Sequence, residues 1–542
     1  MKQLFYFGLL IIFSCQSPVT RNDRNNWIDT VTVARHIKIL ASDDFQGRKP
    51  FTLGETKTVA YLKTQFEQLG LLPGNNESFF QAVPMLELTR YPTDKMIIKN
   101  GVDTLYLDFS SDFVCNTEQN QDRVALDASE VVFAGFGIVA PEYDWDDYEG
   151  IDVKGKTVLV MINDPGFKSG DPTFFKGDQM TYYGRWTYKF EEAARQGAAG
   201  IMIIHETEAA GYPWAVLENS GSSANLTLDD PNRLPTCNIQ GWITQQAAGK
   251  FFQFSGKDMN QEMTMAGTRN FRPVDLSVRI WFDMDLVIKK DVSQNVIAKI
   301  AGTDYPDEVI IYCAHWDHLG IGLPVNNDSI YNGAHDNASG TAMLLALAEA
   351  FKLQLAPKRT VVFLALTGEE QGLLGSAFYA NNAIFDPTKT VAVINIDGLA
   401  AYGKMKDLTI IGYGQSELEE LAEQLAIRQD RYVYPDPHPS KGYFFRSDHF
   451  NFAKIGIPSL FAYASYDAVN GGTALTRSKY EYYQAERYHG PADEFIESEW
   501  QFGAIQQDGD LYYQLGWQLA NDASWPKWKE GSEFKILRGN KN

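Results

Sequence analysis

Long apolar runs are missing from this 542-residue chain. An early run, Leu4 to Phe13, is too short to cross a bilayer and fits the core of a signal peptide. Cysteine is scarce: there are four, and after Cys15 only Cys115, Cys237 and Cys313 remain. Their spacing excludes a C-x-x-C metal site, and an odd number cannot all pair internally. Basic charge is also in deficit, with 48 Lys and Arg against 69 Asp and Glu, a net −21. That balance argues against nucleic acid or an anionic membrane surface as a partner. No low-complexity tract or fixed-period repeat is found. An ordinary apolar share of 44% remains, over a length that calls for more than one domain.

The informative stretch runs from Cys313 to Gly340. It reads C-A-H-W-D-H-L-G and then, after a polar loop, N-G-A-H-D-N-A-S-G. The apolar run Val309 to Cys313 predicts a buried strand, with His315 and Asp317 where it ends. An imidazole there can ligate a metal, and a carboxylate two residues on can orient it. Asp336 precedes a helical pattern from Ser339 to Phe351, for which Ser339 is the expected N-cap. Two more apolar runs end in acids: Thr360 to Leu366 leads to Glu369 and Glu370, and Val391 to Ile396 leads to Asp397. Ligands of open α/β sheets sit beyond the carboxyl ends of the strands, where these side chains converge. Further on, Y-H-G-P-A-D offers Tyr488, His489 and Asp493.

The set H-x-D, G-A-x-D-N-A-S-G, G-E-E-x-G-L-L-G-S, I-D-G and Y-H resembles the co-catalytic di-zinc peptidases of metallopeptidase family twenty-eight, related to aminopeptidase Y and glutamate carboxypeptidase. The resemblance covers Asn295 to about Trp517. It implies a three-layer α/β/α zinc-exopeptidase fold with a mixed sheet, and two zinc ions per chain. By it, His315 and Asp397 hold one ion, Glu370 and His489 hold the other, and Asp336 bridges both. Glu369 then matches the general base, and Asp317 the carboxylate behind His315. Tyr488, directly before a ligand, is in line to donate to an oxyanion. Imidazole and carboxylate donors suit zinc. Adjacent side chains diverge, so Glu369 is left free of the metal that Glu370 holds.

The rest of the chain is organised around that domain. Ile12 to Cys15 resembles a bacterial lipobox, which would lipidate Cys15 after removal of residues 1–14; a plain secretory signal is the alternative. Either way the protein is expected to be exported, as a periplasmic or cell-surface protein of a bacterium, with the membrane met only through that anchor. Residues 27–128 are expected to be the amino-terminal part of the peptidase domain. They carry amphipathic helices at Val31 to Leu40 and Thr56 to Leu69, with Arg48 and its acidic neighbours structural. Residues 129–266 look like an insertion of alternating strands and helices. The insertion resembles the protease-associated domain, whose members shape access to a neighbouring site. Within it Gly135, Gly137 and Ala140 satisfy a dinucleotide fingerprint, but Pro141 and E-Y-D-W-D-D follow where a helix is required, so it is rejected. The peptidase domain proper is expected over residues 270–530, with a capping helix from Glu499 to Leu519 and a polar tail from Trp525.

His318 and His335 flank ligands but are expected to point elsewhere, and His36, His205 and His438 read as structural. Arg446, Asp448 and His449 are candidates either for substrate contact or for packing. Cys313 reads as a packed thiol, and Cys115 and Cys237 are available for a disulfide that spacing does not decide. The function expected is release of amino-terminal residues from peptides. Rivals on the same fold are a mono-zinc, glutaminyl-cyclase-like acyltransferase, a carboxypeptidase and a non-catalytic receptor.

Overall fold

Apolar runs made the strands, and their alternation built two cores. In the computed structural model, which describes residues 26–220, 224–463 and 466–539, the strands Arg359–Leu366, Tyr305–His315, Thr390–Asn395 and Ser459–Tyr463 lie side by side in that order, all parallel. Ile310, Tyr312 and Ala314 face one side, with Val361, Phe363 and Ala365. Val309, Ile311 and Cys313 face the other, with Val362, Leu364 and Leu366. Helices cover both faces, which is why these strands are apolar throughout. The helices Thr30–Leu40, Leu53–Gln68, Ser339–Lys352, Leu418–Arg428 and Gly503–Asn521 pack on the first face. Leu374–Asn381 and His449–Lys454 pack on the second. Antiparallel neighbours flank the parallel block: Val274–Ile300 on one side and Asp407–Ile410 on the other. The architecture is a mixed α/β sheet between helical layers.

A second core lies between residues 86 and 286. Its parallel strands Arg123–Phe133, Thr157–Met161, Gly200–His205 and Ile239–Thr244 adjoin in that order, with the helix Trp186–Arg195 between. It draws on residues either side of the 129–266 segment, including Leu86, Met96 and Leu107 before it and Leu276 to Leu286 after it. Two long strands tie this unit to the main sheet. Phe80–Pro92 and Val274–Ile300 pair antiparallel, from Phe80 with Val296 to Pro92 with Met284.

Three local expectations are corrected. Ser339 is not an N-cap: it is already helical, follows a π-type turn over Ala334–Ala338, and donates to the His335 carbonyl at 2.8 Å. The chain after Trp525 is not a free polar tail. Trp528 and Phe534 are buried with Met180, Phe444, Phe445 and Phe450, and Glu533 accepts from Lys176 at 2.6 Å and from the Tyr182 amide at 3.0 Å. Cys115 and Cys237 form no disulfide; with Cys313 they are buried thiols. The leader and Cys15 lie outside the described residues.

Candidate metal centre

The parallel block delivers its acids to one edge. His315 ends its strand, Glu369 and Glu370 follow Leu366, and Asp397 follows Asn395. Asp336 comes from the turn before the Ser339–Lys352 helix, and His489 from the loop after the Gly472–Glu486 helix. His489 holds φ +55°, in the left-handed region that His adopts more readily than most residues.

These side chains meet as two groups around Asp336. Its Oδ1 lies 3.3 Å from His315 Nε2, and its Oδ2 lies 3.3 Å from His489 Nε2. His315 Nε2 also lies 3.2 Å from Asp397 Oδ1, and His489 Nε2 lies 3.0 Å from Glu370 Oε2. Glu369 faces the same cluster: its Oε2 lies 4.0 Å from His315 Nε2, and His315, Glu369 and Glu370 each bring one donor atom within 4.8 Å of the others. All five expected ligands and the expected base are therefore brought together. Asp317 is buried beside them but does not back the imidazole directly. Its Oδ1 is 3.9 Å from His315 Nδ1, which instead meets the Asp317 backbone oxygen at 3.2 Å. The carboxylate accepts the Glu369 amide at 3.0 Å. Tyr488 stacks on His489, ring centres 3.9 Å apart, and keeps 44% of its surface exposed.

A supporting shell surrounds these groups, of which the sequence offered Asp493 and read Arg48 as structural. His318 Nδ1 lies 2.7 Å from Glu370 Oε1, and His318 belongs to a metal-competent trio with Asp336 and Glu370. The expectation that it points elsewhere is corrected, because the chain turns just past the strand end and alternation no longer holds. Asp493 accepts the amides of His335 and Asp336 at 3.0 and 3.1 Å, fixing the bridging loop. Ser447 donates to Asp397 Oδ2 at 2.5 Å and accepts from Asn395 at 2.7 Å. Arg48, fully buried, donates to the carbonyls of Leu40, Trp316, Asn332 and Gly333 at 2.6–2.8 Å, joining both ligand loops to the amino-terminal segment. Asp448 accepts from Ser376, and His449 packs between Phe444 and Phe461.

Charge explains the protonation of the cluster. Burial alone would lower both imidazoles, but the carboxylates around them reverse it, lifting His315 well above its usual value and His489 to about 10. Burial would raise Asp336, yet hydrogen bonds from His315 and His489 hold it well below the carboxylate range. Glu369 is pushed far up by burial and then by Asp397 and Glu370, against the pull of His315. Burial takes Asp317 to about 7. For Tyr488, desolvation of the phenol and then the charges of Asp336 and Glu370 raise it.

Residues 295–511 match the model for peptidase family M28. This part of the chain is a family M28 peptidase domain. All eight of the residues discussed as ligands, base, orienter and phenol fall inside the M28 domain, whereas Arg48 lies outside it. A probable zinc metalloprotease of Pyricularia oryzae is 38% identical over 105 residues, 19% of each chain. Carboxypeptidase Q of Xenopus laevis is 27% identical over 234 residues, 42% of this chain and 39% of its own. The chain spans about a fifth of the length of the first curated relatives it matches. Among solved structures, an aminopeptidase from Aneurinibacillus sp. strain AM-1 superposes with a TM-score of 0.47 at 18% identity, over 92% of this chain and 95% of that one.

The donor set of the M28 domain fits zinc. Two imidazoles and three carboxylates converge, and the trios His315–Asp336–Asp397 and His318–Asp336–Glu370 each keep one donor atom apiece within 4.8 Å of the others. Zinc requires neutral imidazoles, and the carboxylates around His315 and His489 raise the affinity of both for protons in the metal-free site. Zinc binding at pH 7 is therefore expected to release protons, and affinity to rise as pH climbs towards 10. Calorimetry of the metal-free protein in buffers of different ionisation enthalpy reads this directly. Zinc uptake without proton release would contradict the raised imidazoles.

Proposed function

We propose that this protein is a zinc exopeptidase that releases amino-terminal residues from peptides and uses two zinc ions per chain. The observation that carries the reading is Asp336, whose two oxygens face His315 and His489 separately at 3.3 Å. His315 with Asp397 would hold one ion, Glu370 with His489 the other, and Asp336 both. When bound, such a pair supplies Lewis-acid polarisation of the scissile carbonyl and an acidified water. The remaining work falls to the chain's own groups. Glu369 takes a proton at its carboxylate and passes it to the leaving amine, a task its raised affinity for protons favours. Asp317 holds the Glu369 backbone by its amide. Tyr488 stays protonated and donates to the oxyanion of the substrate. His318 fixes the orientation of Glu370.

The end of the peptide follows from charge. Asp336, Glu369, Glu370 and Asp397 surround the centre, and an α-ammonium matches that field better than a carboxylate does. The preparation is expected to hold two zinc equivalents, to lose hydrolysis on chelation, and to cleave free but not amino-acetylated peptides. Full activity with one zinc would favour the cyclase-like alternative. Equal cleavage of acetylated peptides, or release from the carboxyl end alone, would favour carboxypeptidase action. The 129–266 segment we read as a protease-associated domain walling the substrate path, a reading supported by its contact with the 438–446 loop, where the Met180 amide donates to the Pro439 carbonyl at 3.1 Å. Export and lipidation rest on Leu4 to Cys15 alone, and fractionation of Cys15→Ser reads the anchor.

A further inference from the structure

We propose that a recess behind the bridging loop is a binding site for a small free α-amino acid, apart from the metal-ligand cluster. That such a ligand is also the reaction's own product rests on the peptidase reading above; the binding itself does not.

The recess lies where the Gly472–Glu486 helix and Arg487 after it meet the chain at Tyr402 and between Asp493 and Trp500. It encloses about 60 Å³. At roughly 10–15 Å³ for each water-sized group, that suits a ligand of about five non-hydrogen atoms. Tyr402, Tyr482 and Trp500 give it aromatic walls. Neither Glu369 nor any of the five expected metal ligands lines it. The link to the centre is indirect. Asp493 and His335 line the recess, and Asp493 accepts the amides of His335 and of the bridging Asp336 at 3.0 and 3.1 Å. The His335 ring packs on Tyr483, ring centres 4.7 Å apart.

Charge defines what the recess can take. Besides Asp493 its lining carries Lys479, Arg487, Glu494 and Glu499. Arg487 Nη2 and Glu499 Oε2 pair at 2.6 Å. Asp493 is occupied by the two amides and by the Tyr483 hydroxyl at 3.3 Å. One cation and one anion are left. Among the described residues, exposed Lys479 has no carboxylate and half-buried Glu494 no cation within ion-pair distance. The buried Nε of Arg487 finds no acceptor. Of His335 only the backbone amide and carbonyl, not a ring nitrogen, hydrogen-bonds among the described residues.

A lone anion entering here would meet the uncompensated charge of Glu494, and a lone cation that of Lys479. An α-amino acid carries both charges on one carbon. Its carboxylate matches Lys479 and the free Nε of Arg487, its ammonium matches Glu494, and a small side chain is left for the aromatic walls. The volume favours glycine, alanine or serine over larger amino acids.

Titration calorimetry of the full chain after removal of metal tests the site, because an amino acid held only through zinc is then lost. L-Alanine is expected to bind once per chain. Propionate, which lacks the ammonium, and ethylamine, which lacks the carboxylate, are each expected to bind at least about tenfold more weakly, the usual cost of a charged hydrogen bond. Glu494→Gln is expected to weaken L-alanine by about 10- to 100-fold and to spare propionate, whereas Lys479→Gln weakens L-alanine and spares ethylamine. Three results overturn the proposal: no binding of L-alanine by the native chain, equal binding of the three probes, or loss of all probes alike in both variants. Release of amino acids from peptides by the zinc-loaded protein is scored separately. Its absence removes the peptidase reading and leaves the binding test as it stands.

Discussion

Glu369→Gln is expected to keep both zinc ions and to lose about 10² to 10⁴ in turnover, the usual cost of removing a general base. Glutamine is nearly isosteric and keeps the backbone amide that Asp317 accepts at 3.0 Å, so the loop should hold its shape. It cannot carry the proton. The neighbouring Glu370→Gln is the internal control, because its oxygens meet His489 at 3.0 Å and His318 at 2.7 Å. That variant is expected to lose metal first and activity as a consequence. Metal content after dialysis, measured beside kcat for both variants, separates the roles. Exchanged phenotypes would reverse the assignment of base and ligand.

Asp336→Asn is expected to weaken both metal positions at once. Native Asp336 offers one oxygen to each side, 3.3 Å from His315 and 3.3 Å from His489, whereas asparagine offers one oxygen and no charge. The loss in zinc affinity should exceed the roughly 10- to 100-fold typical of losing an outer partner. His315 would also lose a carboxylate that holds its proton, so the metal-free variant should titrate lower than the native protein. Zinc titration followed by the rise in melting temperature measures this, since a ligand that binds only the folded state stabilises it in proportion to its affinity. A variant that still takes two ions with native affinity would remove Asp336 from the bridging position.

Both experiments treat the centre as a local arrangement, yet it leans on residues far from it. Arg48 joins Leu40 to the carbonyls of Trp316, Asn332 and Gly333, so the amino-terminal segment fixes two ligand loops of the M28 domain. The buried carbonyls it satisfies would otherwise cost on the order of 1–3 kcal/mol each. The carboxyl-terminal stretch acts likewise at the seam, through Trp528, Phe534 and Glu533.

How much of this was legible beforehand depended on whether a side chain's direction was set by its own element. The parallel strands were readable because burial on both faces leaves an unbroken apolar run, and their ends told where His315, Glu369, Glu370 and Asp397 would gather. The nature of the donors named the metal chemistry. Past a strand end that logic stops. His318 turned onto Glu370, and Asp317 gave its carboxylate to an amide, because loop backbone and the packing beneath it aim the side chain there. Ser339 suggested a helix start, but the turn holding Asp336 ran straight into the helix. The tail looked polar by composition, and only the groove between the units offered Trp528 and Phe534 a place to be buried. Met180 and Pro439 are far apart in the chain and are joined, amide to carbonyl at 3.1 Å, because the Phe80–Pro92 and Val274–Ile300 strands bring the second unit back against the first. Sequence therefore determined the elements and the chemistry each strand end carries. Tertiary packing alone decided which distant loops face one another, because that depends on how the two units close.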